Sequence, residues 1–313
     1  MSSQKVMVTG GAGFIGSNLV DELVAQGHDV YIIDDFSTGQ YENLSHHPPR
    51  SVKILRTSIL KPELYKEHLQ GVQTIFHHAA IPSVPRSVKD PLSSHDTNVT
   101  GTLKLLLAAK ETGVKRIVYA SSSSIYGDQP GEEKNEELQP RCKSPYGFQK
   151  FSGEEYMRLF NELYGMSTIS LRYFNVFGPR QDPTSAYAAV IPLFINSMMN
   201  GNTPTIYGDG TQTRDFTFVA NNVHANILAM NSTKTGHYNI ACNTSVTLNN
   251  LVTELNNILG TRIPPHHAPE RQGDIKHSKA NIEKAKKELG YEPTIQFSEG
   301  LQKTVEWYKN KKR

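Results

Sequence analysis

The chain has 313 residues, of which 37% are hydrophobic, so it is long enough to bury one large core or two modest ones. Its 33 basic and 30 acidic residues leave a net charge of +3, which excludes the strongly basic surface of a nucleic-acid-binding protein. Cys142 and Cys242 are its two cysteines, and they lack a CxxC motif or a histidine at ligand spacing. We therefore expect neither a disulfide framework nor a bound metal. The longest apolar run is too short to span a bilayer and no signal-peptide pattern is present, so we expect a cytoplasmic protein.

Strand-like apolar runs alternate with helix-length segments through the first half of the chain. In order, the runs are KVMVT, DVYIID, VKIL, QTIFHHAA, KRIVYAS and STISLRYF. Between them, GFIGSNLVDELVAQG has helical apolar spacing and ends at Gly27, and DTNVTGTLKLLLAAKETG ends in the same way at Gly113. This alternation predicts βαβ units and a parallel sheet covered on both faces.

The pattern changes near residue 176 to shorter elements broken by proline and glycine. Helical patterns follow near 248–259, 279–289 and 297–310. We interpret this part as a second, smaller region built on the first. The predicted domains are residues 1–175, with a return segment near 215–240, and residues 176–313.

Closely spaced glycines link the first predicted strand to the first predicted helix. The stretch MVTGGAGFIGSN places Gly10, Gly13 and Gly16 there, and Gly11 completes a GxGxxG pattern as well. Such a turn brings backbone amides and a helix N-terminus close to a pyrophosphate. Asp34 ends the second strand, 18 residues after Gly16, where a carboxylate accepts both adenosine ribose hydroxyls and repels a 2′-phosphate. The sequence therefore predicts a dinucleotide site that prefers NAD to NADP.

Two adjacent histidines end the fourth predicted strand. Neighbouring strand residues point to opposite faces, so His77 and His78 cannot both bind one metal ion. We expect them to pack beside the cofactor.

A tyrosine and a lysine occur at helical spacing in SPYGFQK. Tyr146 and Lys150 are four residues apart, so both side chains lie on one face of a helix. A free phenol has a pKa of about 10, and a neighbouring ammonium, together with an oxidised nicotinamide, stabilises its phenolate. We predict that Tyr146 is a general acid/base and that Lys150 tunes it and holds the nicotinamide ribose.

In combination, these motifs resemble the extended short-chain dehydrogenase/reductase family, and within it the nucleotide-sugar 4-epimerases that act on UDP-hexoses. The resemblance runs from Lys5 to about Trp307 and is carried by TGGAGFIG, HHAA, NVTGT, SSSSIYGD, YGFQK, RYFNVFGPRQ, TRDF and RQGD. It implies a Rossmann-type doubly wound parallel sheet with a smaller mixed C-terminal domain for a UDP-sugar. It also implies that NAD stays tightly bound and is regenerated in each turnover.

The resemblance assigns further cofactor contacts beyond the glycines, Asp34, Tyr146 and Lys150. They are Phe14, Ile15, Asp35, Ser37, Gly39, Ser58, Ile59, His78, Ala79, Ala80, Asn98 and Tyr173. Relatives commonly have an acidic residue at the place of Ser58, near the adenine, so the adenine contact departs from the family pattern here. Cofactor choice is still expected to follow Asp34.

The substrate contacts are likewise implied by the resemblance. Ser122 corresponds to the serine that hydrogen-bonds the reacting hydroxyl, and Ser124 to a second hydroxyl that faces the substrate. Arginine grips phosphate in a bidentate manner, and Arg214 and Arg271 match the diphosphate contacts of the family, as does Asn175. The remaining implied contacts are Asp274 to the ribose, Tyr207 to the uracil, and Ser83, Arg86, Val190 and Ser278.

The strand-end serines bear on the reaction type. Relatives that dehydrate or decarboxylate the oxidised sugar carry acidic residues in this stretch, whereas no acidic residue lies between Tyr119 and Tyr126 here. A 4-keto sugar then has no local catalyst for elimination, so it turns over and takes its hydride back on the other face. The resemblance therefore implies C4 epimerisation.

Pocket size bears on the sugar. Ser278 matches the family position whose bulk limits the space near the C2 substituent, and PSVPRSV and RQDPTSAYAAVIPLF resemble the branch that prefers N-acetylated sugars. We predict interconversion of UDP-N-acetylglucosamine and UDP-N-acetylgalactosamine, with UDP-glucose and UDP-galactose as secondary substrates.

Two other functions stay open. A UDP-glucuronate-type 4-epimerase needs a cation for the C6 carboxylate, for which Arg86 or Arg180 is available, although Asn175 and the acetyl-branch segments weigh against it. A non-catalytic NAD-binding regulator has no use for the intact Tyr146, Lys150 and Ser122. The helices near 95–112 and 145–164 resemble those of a four-helix dimer interface, so we expect a homodimer, without nucleic-acid or membrane partners.

Overall fold

A computed structural model describes residues 3–48, 50–129, 131, 133–184, 188–270 and 276–311. The strands of this part are β1 (Lys5–Thr9), β2 (Asp29–Asp34), β3 (Val52–Arg56), β4 (Thr74–His77), β5 (Arg116–Ser122), β6 (Glu133–Lys134), β7 (Ser167–Tyr173), β8 (Val176–Phe177), β9 (Thr205–Tyr207), β10 (Thr213–Arg214), β11 (Thr217–Phe218), β12 (Gly236–Ile240), β13 (Val246–Thr247), β14 (His266–Ala268) and β15 (His277–Ala280). Its α-helices are α1 (Phe14–Ala25), α2 (Val84–Lys89), α3 (Pro91–His95), α4 (Thr102–Glu111), α5 (Pro145–Tyr164), α6 (Val190–Met199), α7 (Val219–Asn231), α8 (Leu248–Leu259), α9 (Glu283–Leu289) and α10 (Phe297–Lys311).

Seven strands form a single parallel sheet in the order β3-β2-β1-β4-β5-β7-β12. These strands are apolar runs whose side chains are buried on both faces, as a sheet covered by helices on both sides requires. The order reverses between β1 and β4, because the chain continues outward through β2 and β3 and then returns to the other side of β1. At such a reversal the carboxyl ends of the strands leave a crevice for a ligand. The predicted α/β fold with a doubly wound parallel sheet is confirmed.

Alternation along the strands divides the core between the two faces of the sheet. Val6 and Val8 pack with α1 and α7, whereas Met7 packs with α4 and α5 on the opposite face. Each helix presents a stripe of buried apolar residues to its face, for example Leu105 and Leu106 on α4. The elements that carry the cofactor motifs are therefore held on a rigid two-sided core.

The remaining strands and helices form smaller units beside the large sheet. One is a four-stranded mixed sheet in the order β13-β10-β15-β6, and the others are the parallel pairs β8/β11 and β9/β14. A separate apolar core joins α6, α8 and α10. Between these parts the chain returns through α7 to place β12 at the edge of the large sheet, next to β7.

One predicted helix begins later than its sequence pattern indicates. The pattern covers residues 279–289, but residues 277–280 form β15, which pairs with β10 and β6. The helix α9 begins at Glu283, whose backbone amide donates to Asn281 Oδ1. Pairing of the strand with two neighbours outweighs the local helical pattern, because it satisfies backbone groups that the helix otherwise bonds.

Within the described ranges, no helix has the length and apolar character needed to cross a membrane.

Candidate active site

The turn between β1 and α1 requires glycine because its backbone packs closely against other backbone atoms. Gly10 has a φ of +70°, and a Cβ atom there would lie 2.7 Å from the amide nitrogen of Ala79. A Cβ on Gly16 would lie 2.1 Å from the carbonyl oxygen of Gly10. Helix α1 follows Gly13 without a side-chain cap and without an acidic residue in its first turn. The turn thus leaves helix N-terminal amides available to an anion.

A cleft opens at the reversal point of the sheet, over this turn. Of the cofactor residues predicted from the sequence, the structure brings most together in its lining: Gly10, Gly13, Phe14, Ile15, Gly16, Asp34, Asp35, Ser37, Ser58, Ile59, His78, Ala79, Ala80, Tyr146, Lys150 and Tyr173. Residues that sequence reasoning missed complete the wall, namely Ile33, Thr38, Thr57, Ile81, Pro82, Thr97, Ala120 and Ser121. Most of these residues directly precede or follow a predicted contact in the sequence. Their position next to the motifs could therefore have predicted them.

Asp34 is held at the end of β2 by two backbone amides. Its Oδ2 accepts from the amide of Ala12 at 2.8 Å and its Oδ1 accepts from the amide of Phe36 at 2.8 Å. Burial raises the pKa of this carboxyl, and the two amide bonds act in the opposite direction. Each oxygen retains a second lone pair for a further donor. Gly39, which does not line the cleft, lies against this carboxylate, since a Cβ there would come within 3.0 Å of Asp34 Oδ1.

The side chains of the two histidines at the end of β4 point in different directions, as expected for neighbouring residues of a strand. His77 is buried between hydroxyls, with Nδ1 2.7 Å from Thr9 Oγ1 and Nε2 2.8 Å from Thr102 Oγ1. His78 faces the cleft, and its Nε2 lies 3.1 Å from the hydroxyl of Tyr173. Burial lowers the pKa of His78 to about 3, so its ring is neutral at physiological pH.

Asn98 lies behind the cleft wall rather than in it. Its Oδ1 accepts from the amide of Ile81 at 2.8 Å, and its Nδ2 donates to the carbonyl of Ile81 and to Gln149 Oε1. The side chain is buried and its amide group is occupied by these three bonds. Asn98 thus positions the segment that follows β4. This arrangement could not be predicted from the sequence, because the partners of Asn98 are 17 and 51 residues away.

The predicted acid/base pair lies where the cleft meets α5. Ser144 caps this helix by accepting from the amide of Gly147, and Pro145 occupies its first turn. Lys150 is 3% exposed, and its Nζ donates to the carbonyl of Ala120 at 2.7 Å. Burial lowers the pKa of Lys150 to about 7, against an opposing effect of Glu154.

The phenol of Tyr146 differs from the sequence-based expectation in one respect. Burial raises its pKa to about 12, and a hydrogen bond with Ser122 acts in the opposite direction. The predicted tuning by Lys150 is therefore not seen in the protein alone, where desolvation dominates the pKa of this phenol. The sequence-based prediction combined the lysine with an oxidised nicotinamide, a positive charge that the cofactor would supply when bound.

A second cavity of about 590 Å³ adjoins the cofactor cleft and shares Ile15, Ser121, Tyr146 and Tyr173 with it. Of the predicted substrate residues, Ser122, Ser124, Asn175, Arg214 and Ser278 line this cavity. The hydroxyl of Ser124 is buried and has no hydrogen-bond partner within the described ranges, which leaves it available to a ligand hydroxyl. Residues that sequence reasoning missed also line it: Val84, Pro85, Ser123, Tyr126, Gly127, Lys134, Phe174, Val176 and His277.

Other predicted substrate residues lie outside this lining. Ser83 has a φ of +94° and caps α2 by accepting from the amide of Arg86. Val190 begins α6, and Tyr207 ends β9 with 37% of its surface exposed. The predicted contacts Arg271 and Asp274 lie outside the described residues.

A buried ion pair that sequence reasoning missed binds Ser121, the first of the serines in this stretch. Glu154 receives three guanidinium contacts from Arg172, at 2.7 to 3.2 Å, and its Oε1 also accepts from the hydroxyl of Ser121. Arg172 continues to the hydroxyl of Tyr126 at 2.8 Å. Both carboxylate oxygens of Glu154 are therefore occupied by hydrogen-bond donors of the chain itself.

Comparison with known proteins agrees with this geometry. The sequence model of the NAD-dependent epimerase/dehydratase family matches residues 6–241. A UDP-N-acetylglucosamine 4-epimerase from Methanobrevibacter ruminantium M1, solved with UDP-N-acetylmuramic acid, is 41% identical with a TM-score of 0.96, over 99% of this chain and 100% of that one. A UDP-glucose 4-epimerase from Thermotoga maritima, solved with UDP-glucose, is 37% identical with a TM-score of 0.94, over the same shares. A UDP-glucuronic acid 4-epimerase from Bacillus cereus, solved with UDP-glucuronic acid and NAD, is 32% identical with a TM-score of 0.89, over 98% of this chain and 99% of that one.

The residues of the cleft fit the dinucleotide that gives the family its name. The uncapped N-terminus of α1 faces the cleft, and the glycines allow a ligand to approach the backbone closely. The carboxylate of Asp34 lies at the C-terminal end of β2, in the lining of the same cleft. These features, together with a family match that covers most of the chain, lead to one conclusion: the protein belongs to the NAD-dependent epimerase/dehydratase family and uses NAD as its cofactor.

Proposed function

We propose that the protein is a UDP-sugar 4-epimerase that interconverts UDP-N-acetylglucosamine and UDP-N-acetylgalactosamine, with UDP-glucose and UDP-galactose as secondary substrates. The observation that carries the proposal is the junction of the two cavities. Tyr146 lines both of them, with Ser122 and Ser124 on the wall of the second cavity and Lys150 on the wall of the cofactor cleft. A sugar in the second cavity would therefore lie next to the cofactor cleft and in contact with Tyr146, which can accept the proton of its hydroxyl group.

In the proposed mechanism the protein handles protons and orientation. NAD supplies, when bound, the group that accepts and returns hydride at C4. Tyr146 takes the proton of the C4 hydroxyl and returns it at the end of the turnover, while Ser122 hydrogen-bonds the reacting oxygen. Lys150, whose Nζ donates to the Ala120 carbonyl, would hold the nicotinamide ribose.

The surroundings of the serines favour epimerisation over elimination. Elimination needs a base that can move a further proton, and Glu154 is the described carboxylate that hydrogen-bonds this strand end. Arg172 donates to both of its oxygens and Ser121 donates to one, so this carboxylate is occupied by the chain itself. We infer that the 4-keto sugar has no local route onward and accepts hydride again.

Ser278 supports the preference for an N-acetylated sugar. In the parallel pair β10/β15, Ser278 is the register partner of Arg214, and both side chains line the substrate cavity. A serine at this place adds little bulk to the wall. The similarity to the N-acetylglucosamine epimerase of M. ruminantium points in the same direction.

A UDP-glucuronate-type activity is less well supported by the positions of the cations. Arg180 Nη2 donates to Asp21 Oδ2 at 2.6 Å, and neither Arg180 nor Arg86 is among the residues that line the cavity. Lys134 does line the cavity, but its ammonium donates to the carbonyls of Gln129 and Gly131. A cation aimed at a C6 carboxylate is therefore not available among these three side chains.

We further propose that residues 1–175 with 215–240 hold NAD and that the rest of 176–313 holds the UDP-sugar. We also propose a homodimer formed through α4 and α5. These two helices expose large apolar side chains to solvent in the single chain: Leu107, Phe148, Leu163 and Tyr164 are 41%, 57%, 66% and 47% exposed. Large exposed apolar side chains on two neighbouring helices are typical of a subunit interface. Light scattering that gives the mass of one chain contradicts this proposal.

The first experiment is a conversion assay without added NAD. Purified protein is incubated separately with UDP-N-acetylglucosamine and with UDP-glucose, and the 4-epimers are resolved by chromatography. We expect both to be converted, the acetylated sugar faster, and the Tyr146→Phe protein purified in parallel is the control for contaminating activity. Faster conversion of UDP-glucose contradicts the proposed preference, and conversion of neither, even with added NAD, contradicts the proposed activity.

A further inference from the structure

A cluster of potential metal-ligating side chains lies outside the lining of both cavities, between α1 and the turn that follows residues 41–43. Asp21 projects from α1, and His46 and His47 project from the turn that follows residues 41–43. The Nε2 atoms of the two histidines lie 3.0 and 2.9 Å from the same oxygen, Oδ1 of Asp21. Neither the proposed reaction nor the cofactor cleft uses these residues.

We propose that Asp21, His46 and His47 form a binding site for a divalent transition-metal ion of the zinc class. The ligand atoms of all three residues lie within 4.8 Å of one another. In a tetrahedral zinc site with bonds near 2.0 to 2.1 Å, the ligand atoms are about 3.3 Å apart, close to the two observed separations. Two imidazoles and one carboxylate form a ligand set that suits zinc, and a fourth position remains for water.

The cluster is held in place before a metal arrives. The turn that carries the histidines is anchored by Asn43, whose Nδ2 donates to the carbonyl of Ala12, and by the buried side chain of Leu44. His47 is only 9% exposed at its side chain, whereas His46 is 48% exposed and leaves the site open to solvent. The ligands therefore need little rearrangement, and an ion can enter from the side of His46.

Arg180 orients the carboxylate for this role. Its Nη2 donates to Oδ2 of Asp21 at 2.6 Å, whereas the histidines face the other oxygen, Oδ1. Ligand carboxylates in metal sites are commonly held by such an outer hydrogen bond. The segment of Arg180 also contacts α1 through the carbonyl of Pro179, which accepts from Asn18 Nδ2 at 3.3 Å. A metal ion bound to Oδ1 would thus link three segments: α1, the turn that contains His46 and His47, and the segment that follows β8.

The two other adjacent histidine pairs of the chain show why this one differs. His77 and His78 belong to a strand end, and His266 and His267 lie within β14, so in both pairs the rings point to opposite faces. His46 and His47 lie in a turn, and their ring centroids are 4.1 Å apart. The proposed site departs from the expectation, drawn from the sequence, that the protein holds no metal.

Isothermal titration with Zn²⁺ tests the proposal on the full-length protein. We expect one high-affinity site per chain in the wild type and unchanged affinity in the control His266→Ala, which removes an exposed histidine from a pair without a shared carboxylate. His46→Ala and Asp21→Asn should each weaken the affinity at least tenfold. His46 is exposed, so its variant is expected to fold, and circular dichroism checks this.

A thermal melt provides a second measurement that does not depend on activity. Zn²⁺ should raise the melting temperature of the wild type and of His266→Ala, because it binds the folded chain, and it should have little effect on His46→Ala. Equal Zn²⁺ affinity in the wild type and in His46→Ala overturns the proposal, since it assigns the ion to other groups such as the thiol of Cys142. Either result leaves the proposed epimerase activity untouched.

Discussion

The buried ammonium of Lys150 makes a quantitative prediction about stability. Burial lowers its pKa from 10.5 to about 7 in the folded chain. Below about pH 7 the folded chain has to carry this charge in a desolvated site, whereas the unfolded chain keeps its proton up to about pH 10.5. The unfolded state therefore binds more protons between these two values. The free energy of unfolding should rise with pH across this window.

The size of the effect follows from the two pKa values. Linkage gives a destabilisation by Lys150 of about 4 kcal/mol at pH 7 and about 2 kcal/mol at pH 9. Lys150→Met removes the titrating group and keeps a similar shape. The variant also loses the hydrogen bond to the Ala120 carbonyl, which costs about 1–3 kcal/mol at every pH. Only the titrating part changes with pH, so the two contributions can be separated.

The assay is urea unfolding of nucleotide-free protein at pH 7, 8 and 9. We expect the unfolding free energy of the wild type, relative to Lys150→Met, to increase by about 2 kcal/mol between pH 7 and pH 9. Lys89→Met, at an exposed lysine that ends α2, is the matched control and should show no such change. A difference between wild type and Lys150→Met that stays constant with pH would refute the reasoning, because it means that burial does not lower this pKa.

Three further predictions concern the site itself. Tyr146→Phe should lower turnover by several orders of magnitude while nucleotide binding is retained, and near-normal rates argue against its role as the acid/base. Ser278→Tyr should abolish conversion of acetylated sugars and spare the smaller ones; continued conversion of UDP-N-acetylglucosamine by the variant places the size limit elsewhere. Gly16→Ala should weaken NAD binding at least tenfold in fluorescence titration, because its Cβ meets the Gly10 carbonyl at 2.1 Å. Gly27→Ala is its control for backbone strain away from the cleft: its φ is +77°, and a Cβ there meets nothing within 4 Å. An equal loss of NAD affinity in both variants contradicts the steric argument.

The motifs within single elements could be predicted from the sequence because their geometry is local. The turn at Gly10, Gly13 and Gly16 needs residues without a side chain, and the spacing of Tyr146 and Lys150 places both on one helical face. Alternating strands and helices likewise predicted the parallel sheet. These features depend on neighbours a few residues apart, whose relation the chain itself dictates.

Long-range contacts were decided only by the tertiary structure. Glu154 and Arg172 come from different elements and meet Ser121, which lies more than 30 residues from the glutamate. The pairing of β15 with β10 and β6 replaced a predicted helical start, and the fold carried Asn98 behind the wall of the cleft.

Asp21, His46, His47 and Arg180 are brought together in the same way, across three segments of the chain. A sequence records which side chains are available and how they are spaced along one element. Which distant side chains share a site depends on how helices pack on the sheet, because burial of apolar faces, rather than any local preference, brings those segments together.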